Sequence, residues 1–325
     1  MNKRERLEAA IHGQQVDRIP IALWRHFPGD DQRPDDLAAA TVAFQRRWDF
    51  DFVKVTPASS FCLRDWGVED EWTGNVEGTR DYTRRPIRTA EDWGSLVRLD
   101  PRAGHLGAQL RCLELIRADL PGTPVVQTIF NPLAQAKNLA GPGLAPMLRT
   151  HPRAVKRGLE TIAASTIEFV RAAGQTGIDG IFFAVQHASA QLLSEDEYRE
   201  FGVEYDLRVL SAASDLWLNV VHVHGVDIYF DLLADYPAGV WNWHDRETRP
   251  SLAQGLARLR GAACGGIARE ATMLRGAPDD VRKEVADAAR QTGGRRFIAG
   301  TGCVTLIPSP ESNLRAARGA VESVS

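Results

Sequence analysis

LWLNVVHVHGVDIYF, residues Leu216–Phe230, joins a strand to a helix and carries two histidines at the joint. Leu218–His222 is a short apolar, β-branched run of the kind that forms a buried strand. His222 and His224 stand one residue apart at its end. Alternate side chains of an extended chain point to the same side, so both imidazoles are expected to face one point. Gly225 interrupts the run, and Val226–Ala234 continues with helical spacing.

Outward from this stretch the pattern repeats. Strands are expected at Arg18–Trp24, Phe52–Val55, Pro124–Phe130, Gly180–Val185, Leu218–His222, Val240–Trp243, Ala263–Ile267 and Phe297–Gly300. Helices are expected at Pro34–Arg47, His105–Asp119, Pro132–Arg149 running into Pro152–Ala173, Ser194–Ala213, Val226–Ala234, Ser251–Leu259, Asp279–Gln291 and Ser309–Ala320. Ser194 with Glu197 forms a capping-box pattern. Pro278 and Asp279 mark another helix start. Strands alternating with helices predict an α/β chain folded as a single (β/α)8 barrel over residues 1–325. Ser60–Asp100, rich in tryptophan and charge, breaks the alternation. It reads as an insertion after strand two, over residues 60–100, that covers the barrel mouth.

Composition narrows the function classes. The chain has 325 residues, 44% hydrophobic and 25% charged, which suits a globular protein. A net charge of −3 gives no basic footprint for nucleic acid. No apolar run reaches the ~20 residues of a membrane span, and the charged start lacks the apolar core of a signal peptide. The four cysteines form no CxxC pair, as expected of a reduced, cytoplasmic setting.

Chemistry on such barrels sits at the C-terminal ends of the strands. Those ends carry Arg25 and His26 after strand one, Asn131 after strand three, and Gln186 and His187 after strand four. His222 and His224 end strand five, His244 and Asp245 end strand six, and Cys303 follows strand eight. Two imidazoles and a thiolate are the donors that hold zinc with one position open, so His222, His224 and Cys303 form the candidate metal set. Each also has a structural reading. Cys303 alone reads as a small buried hydrophobe, and a lone strand-end histidine reads as a hydrogen-bonded core residue. Arg25 is expected to meet an anionic group. Asp245 either orients an imidazole or caps the next helix. His187, His244 and Asp245 are acid–base candidates, and His26, Asn131 and Gln186 are candidates for contact with a bound cofactor.

RERLEAAIHGQQVDRIPIALWRHFP (Arg4–Pro28) resembles the opening of the uroporphyrinogen decarboxylase superfamily. The resemblance continues through FNPLAQAKNLAG (Phe130–Gly141), LLSEDEYREFGVEYDLRVL, HVHG, LRGAPDDVRKEV and GTGCVTLIPSPESNLRA (Gly300–Ala316), and so covers nearly the whole chain. It implies a single (β/α)8 barrel and one of two activities. Decarboxylases of the superfamily act on tetrapyrrole carboxylates without a cofactor. They use an arginine- and glycine-rich motif after strand one, an aspartate after strand two and a histidine after strand eight. Here Arg25 is followed by His26-Phe27-Pro28, strand two ends Val55-Thr56-Pro57, and Cys303 occupies the last position. The corrinoid-dependent methyltransferases hold zinc with a His-x-Cys pair after strand five and a cysteine after strand eight. His222 and Cys303 match that pattern, and His224 stands where the first cysteine is expected. An imidazole in place of a thiolate removes one negative charge, leaving a zinc that is a stronger Lewis acid and activates a bound thiolate less.

The resemblance therefore implies zinc as cofactor and a corrinoid as co-substrate. Expected partners are a small methyl donor or acceptor, a corrinoid protein and a second copy of the chain in a homodimer. Decarboxylation of uroporphyrinogen or another polycarboxylate is the first alternative. Non-catalytic binding of a tetrapyrrole or corrinoid, with Trp24, Trp217, Trp241 and Trp243 as pocket or core, is the second.

Overall fold

The computed structural model describes residues 1–322. Seven parallel strands form one curled sheet: β1 Val53–Val55, β4 Val125–Phe130, β5 Gly180–Val185, β6 Val220–Val223, β7 Val240–Trp243, β8 Ala262–Ile267 and β9 Phe297–Thr301, paired in that order. A separate antiparallel pair, β2 Glu69–Glu71 with β3 Asp81–Arg84, lies between β1 and the helix Gly104–Asp119. Strands such as VVQTIF in β4 are buried along their whole length, as expected of parallel strands covered on both faces. Helices pack outside. In Pro152–Gln175, Val155, Leu159, Ile162, Thr166, Phe169 and Ala173 form the buried stripe.

The expected first strand is not a ladder strand. Arg18–Trp24 joins the sheet through a single bridge, Ile21 with Ala299. Two bonds tie it to β9, Ala22 N to Ala299 O at 3.0 Å and Ala299 N to Pro20 O at 2.8 Å. On the other side Asp51 N bonds Ile21 O at 2.8 Å. Two features explain the short pairing. Pro20 has no N–H to donate, and Ile21 N donates to the Asp51 carboxylate at 2.8 Å instead of to a strand. Asp51 is fixed there by Arg6 at 2.7 Å and Arg18 at 2.8 Å. The segment thus sits between the two edge strands of the seven-stranded sheet.

Four helices also differ from expectation. Pro132–Arg149 is interrupted by a tighter turn at Gly141–Gly143, and Ser251–Leu259 is helical only over Leu252–Leu256. The capping box at Ser194 forms, with Ser194 N donating to Glu197 at 2.8 Å, but Arg199–Val203 widens into a π-helical turn before the helix resumes at Glu204. After β6 only Phe230–Leu233 is helical. Val226–Tyr229 is instead held as a loop, with Tyr229 N bonding Ala188 O and Ser189 Oγ bonding Val226 O. Residues 60–100 fold as turns around β2 and β3, and Glu77 and Thr79 of the connecting loop line the central cavity.

Candidate metal centre

β6 aims His222 into the cavity, and His224, two residues on, lines the same space. β7 lies beside β6 with Asn242 in register with His222. Alternation along β7 then carries His244 to the same side as Asn242. The turn after β9 brings in Cys303. Its approach depends on Gly302, where a Cβ would stand 2.6 Å from His244 Cα and 2.8 Å from Trp243 O. Only a residue without a side chain lets the two backbones come that close. Thr301 Oγ1 donates to Cys303 O at 2.6 Å and fixes the turn. One donor atom from each of His222, His224, His244 and Cys303 lies within 4.8 Å of every other.

The surroundings set which atoms are free. Asn242 Nδ2 donates to Cys264 O at 2.8 Å and Thr301 O at 3.0 Å. Its Oδ1 is therefore the acceptor toward His222 Nδ1 at 2.6 Å, so His222 carries its proton on Nδ1 and presents a lone pair on Nε2. Glu247 stands 3.2 Å from His244 Nδ1 and fixes that ring in the same sense. His244 Nε2 is buried and has no hydrogen-bond partner. Metal-bound imidazoles are held in this way, with the outer nitrogen on an amide or carboxylate oxygen.

Electrostatics favour an ionised sulfur. Burial alone would raise the Cys303 thiol, but His222, His224 and His244 outweigh it and hold the thiol well below its usual value. Burial pulls His244 down, while the nearby Cys303 sulfur and the Glu247 carboxylate leave it raised, at about 9. Three imidazoles and one thiolate are donors that zinc takes readily. The unpartnered His244 Nε2 and the lowered thiol both fit such an ion.

The other expected residues divide. Gln186 and His26 line the cavity. Burial, then the charge of Lys54, pushes His26 down to about 3. His187 is outside the cluster, lowered to about 3 by burial and by Lys137 and His224. Arg25 does not line the cavity. Its guanidinium stacks 5.2 Å from the Phe27 ring. Asn131 caps the helix Pro132–Ala140 and donates to Asp206 at 3.0 Å, a core role. Asp245 faces the opposite side of β7 from His244 and accepts from Gly266 N at 3.1 Å, so Asn242 and Glu247, not Asp245, orient the imidazoles. Trp24 lines the cavity, whereas Trp241 and Trp243 are core, donating to Leu233 O and Pro250 O.

Sequence reasoning passed over Lys54, Glu77, Asn242 and Glu247. A charged residue inside the apolar run FDFVKV was the available signal for Lys54. Asn242 gave one too, as a polar residue mid-strand between two tryptophans. Glu77 and Glu247 lie in loops and gave none.

Comparison with known proteins agrees with this architecture. The family model for uroporphyrinogen decarboxylase (URO-D) matches residues 2–324. A uroporphyrinogen decarboxylase of Rhodococcus opacus is 29% identical over 154 residues, 45% of this chain and 42% of that protein, so the match spans less than half of that relative. Methylcobamide:CoM methyltransferase MtbA of Methanosarcina mazei is 23% identical over 332 residues, covering 94% of each chain. A solved methyltransferase from Methanosarcina mazei superposes with a TM-score of 0.87 at 20% identity, over 99% of both chains. The bridged parallel sheet with its strand-end cluster, and a family match running nearly end to end, place this chain in the uroporphyrinogen decarboxylase family.

Proposed function

We propose that this protein is a zinc-dependent methyltransferase that moves a methyl group between a corrinoid and a thiol. The observation that carries the reading is the convergence of His222, His224, His244 and Cys303 from three separate strand ends. The methyltransferase relatives that match over nearly the whole chain support it. His222, His224 and Cys303 would hold zinc, with His244 as a fourth donor or as the group an incoming sulfur replaces. A bound zinc would favour the deprotonated form of a substrate thiol and keep it nucleophilic.

The chain's own residues do the remaining work. Asn242 and Glu247 keep the imidazoles aimed inward. Trp24, Phe130 and Phe182 wall the cavity and keep water from the reacting sulfur. Glu77 and Thr79 cover it from the β2–β3 loop. In the forward direction a carbon–sulfur bond forms as the carbon–cobalt bond breaks, its electron pair stays on cobalt, and the thiol proton leaves to solvent.

Cofactor-free decarboxylation has less behind it. Arg25, the basic group expected to hold carboxylates, lies against Phe27 outside the cavity. The test is metal analysis together with turnover. Purified protein should carry one zinc per chain and convert methylcobalamin and a thiol into a thioether. Protein without zinc, with His222→Ala as active as wild type, refutes the proposal. Formation of coproporphyrinogen from uroporphyrinogen would favour the decarboxylase reading instead.

A further inference from the structure

The hairpin over the cavity has a firm base and a loosely held tip. At the base the Asp70 side chain is fully buried and takes Arg80 at 2.5 Å and Arg64 at 2.9 Å. Arg80 also reaches Asp31, at 3.5 Å. The tip is different. Residues 71–76 are exposed, the large apolar Trp72 and Val76 among them, so this stretch is not held down by apolar burial. Segments with few buried contacts are the ones that open most readily. The tip is seated by Ile307 N, which donates to Val76 O at 2.9 Å, and by Glu77, which takes Arg269 Nη2 at 2.6 Å.

That ion pair spans the mouth. Glu77 belongs to the hairpin that follows β1, and Arg269 to the turn that follows β8. The Arg18–Trp24 segment and β9 lie between those two strands. Arg269 is 9% exposed, and its Nε and Nη1 are buried with no hydrogen-bond partner. Burial works against its charge, but Cys303, Glu77 and Glu247 outweigh burial and raise it. Glu247 stays beside Arg269 when Glu77 leaves. Arg269 is thus the fixed half of the pair, and Glu77, on the exposed loop, is the half free to move.

Size gives the motion a purpose. The cavity beneath the loop encloses roughly 500 Å³, open mouth included, within the ~300–1,000 Å³ of pockets that take drug-sized molecules. A corrinoid is larger than such molecules. A small thiol fits under the seated loop, whereas a corrin ring reaches the cluster after the loop lifts.

We propose that the β2–β3 loop is a lid over the metal cluster and that the Glu77–Arg269 ion pair is its latch. Latched, the cavity admits small molecules alone. Released, its mouth accepts a group the size of a corrinoid. The inference rests on the proposed methyl-transfer reading for what the large group is, but not for the latch itself.

The test reads access to Cys303 and needs no methyl transfer. Chelator-treated full-length protein is alkylated with N-ethylmaleimide or with N-pyrenylmaleimide, two uncharged reagents with one reactive head and different bulk. Their rate ratio, divided by the ratio each shows toward free glutathione, cancels changes in the reactivity of the sulfur. Cys303→Ser supplies the background from the buried Cys62, Cys112 and Cys264. Wild type should exclude the pyrenyl reagent. Glu77→Gln and Arg269→Gln should each admit it about tenfold faster relative to the small one, the scale of one charge-assisted hydrogen bond. Glu71→Gln, on the same hairpin but outside any ion pair among the described residues, should behave as wild type. Equal access for both reagents in wild type overturns the proposal, as does an unchanged ratio in Glu77→Gln or a rise of the same size in Glu71→Gln. Should Arg269→Gln fail to fold, Glu77→Gln against Glu71→Gln decides the matter. A latch-dependent ratio in protein that transfers no methyl group would refute the methyltransferase reading and leave the lid standing.

Discussion

Asn242→Ala tests whether the metal centre is built by its surroundings. Asn242 is fully buried and makes three hydrogen bonds: to Cys264 O, to Thr301 O, and from His222 Nδ1. Alanine takes one hydrogen bond from each of two carbonyls and leaves one imidazole N–H unpaired. At about 1–3 kcal/mol for the buried N–H and about 1 kcal/mol for each hydrogen bond lost, the expected destabilisation is about 3 kcal/mol or more. The imidazole also loses the acceptor that fixes its tautomer. Loss of such a support lowers metal affinity by roughly 10–100-fold. The assay is chelator competition for zinc at fixed pH, alongside urea unfolding. Asn131→Ala is the control, since Asn131 is as buried and bonds Tyr198 and Asp206 but stands apart from the cluster. Asn131→Ala should lose stability and keep its zinc affinity. Equal zinc affinity for wild type and Asn242→Ala, with both folded, would refute the reasoning. An equal loss in both variants would show that general destabilisation, not ring orientation, is being measured.

Three further outcomes are expected. Cobalt-substituted protein should show a thiolate-to-metal charge-transfer band that Cys303→Ser abolishes and His244→Ala merely shifts; a band untouched by Cys303→Ser would remove the sulfur from the site. Gly78→Ala should loosen the β2–β3 loop. Gly78 has φ +84°, and a Cβ there would stand 2.3 Å from His26 Cβ; a cost of about 1–2 kcal/mol and faster proteolysis near Glu77 are the readouts, and unchanged values count against the loop's fixed seat. Asp206 accepts from Tyr198, Tyr236 and Asn131, yet burial raises its carboxyl to about 7. Between about pH 4 and pH 7 the folded chain keeps a proton there that the unfolded chain has released, so this group's contribution, about 4 kcal/mol, is lost as pH rises across that window. Asp206→Asn should flatten that part of the stability profile, and an unchanged slope would contradict it.

Much of this was legible one residue at a time. Strand cores such as VVQTIF read as buried because both faces are covered, and the Ser194 cap read as a helix start because its hydrogen bonds are local. His222 and His224 read as a pair because strand alternation is a local rule. Arg18–Trp24 misled because its pairing is decided elsewhere: Asp51, with Arg6 and Arg18, captures the N–H that a ladder would use. The place of Arg25 outside the cavity was hidden for a similar reason, since its direction depends on Phe27 and Phe44 packing beneath it.

By itself the sequence determined the alternating elements and the His222–His224 pair from spacing within single segments, and the family and Cys303 from a resemblance that runs along the chain. Only the tertiary structure decided that His244 joins them, that Asn242 and Glu247 rather than Asp245 hold the rings, and that Lys54 shares their cavity. Those relations link strands that lie far apart along the chain. They depend on register between neighbours and on the close approach Gly302 permits, which no local pattern encodes.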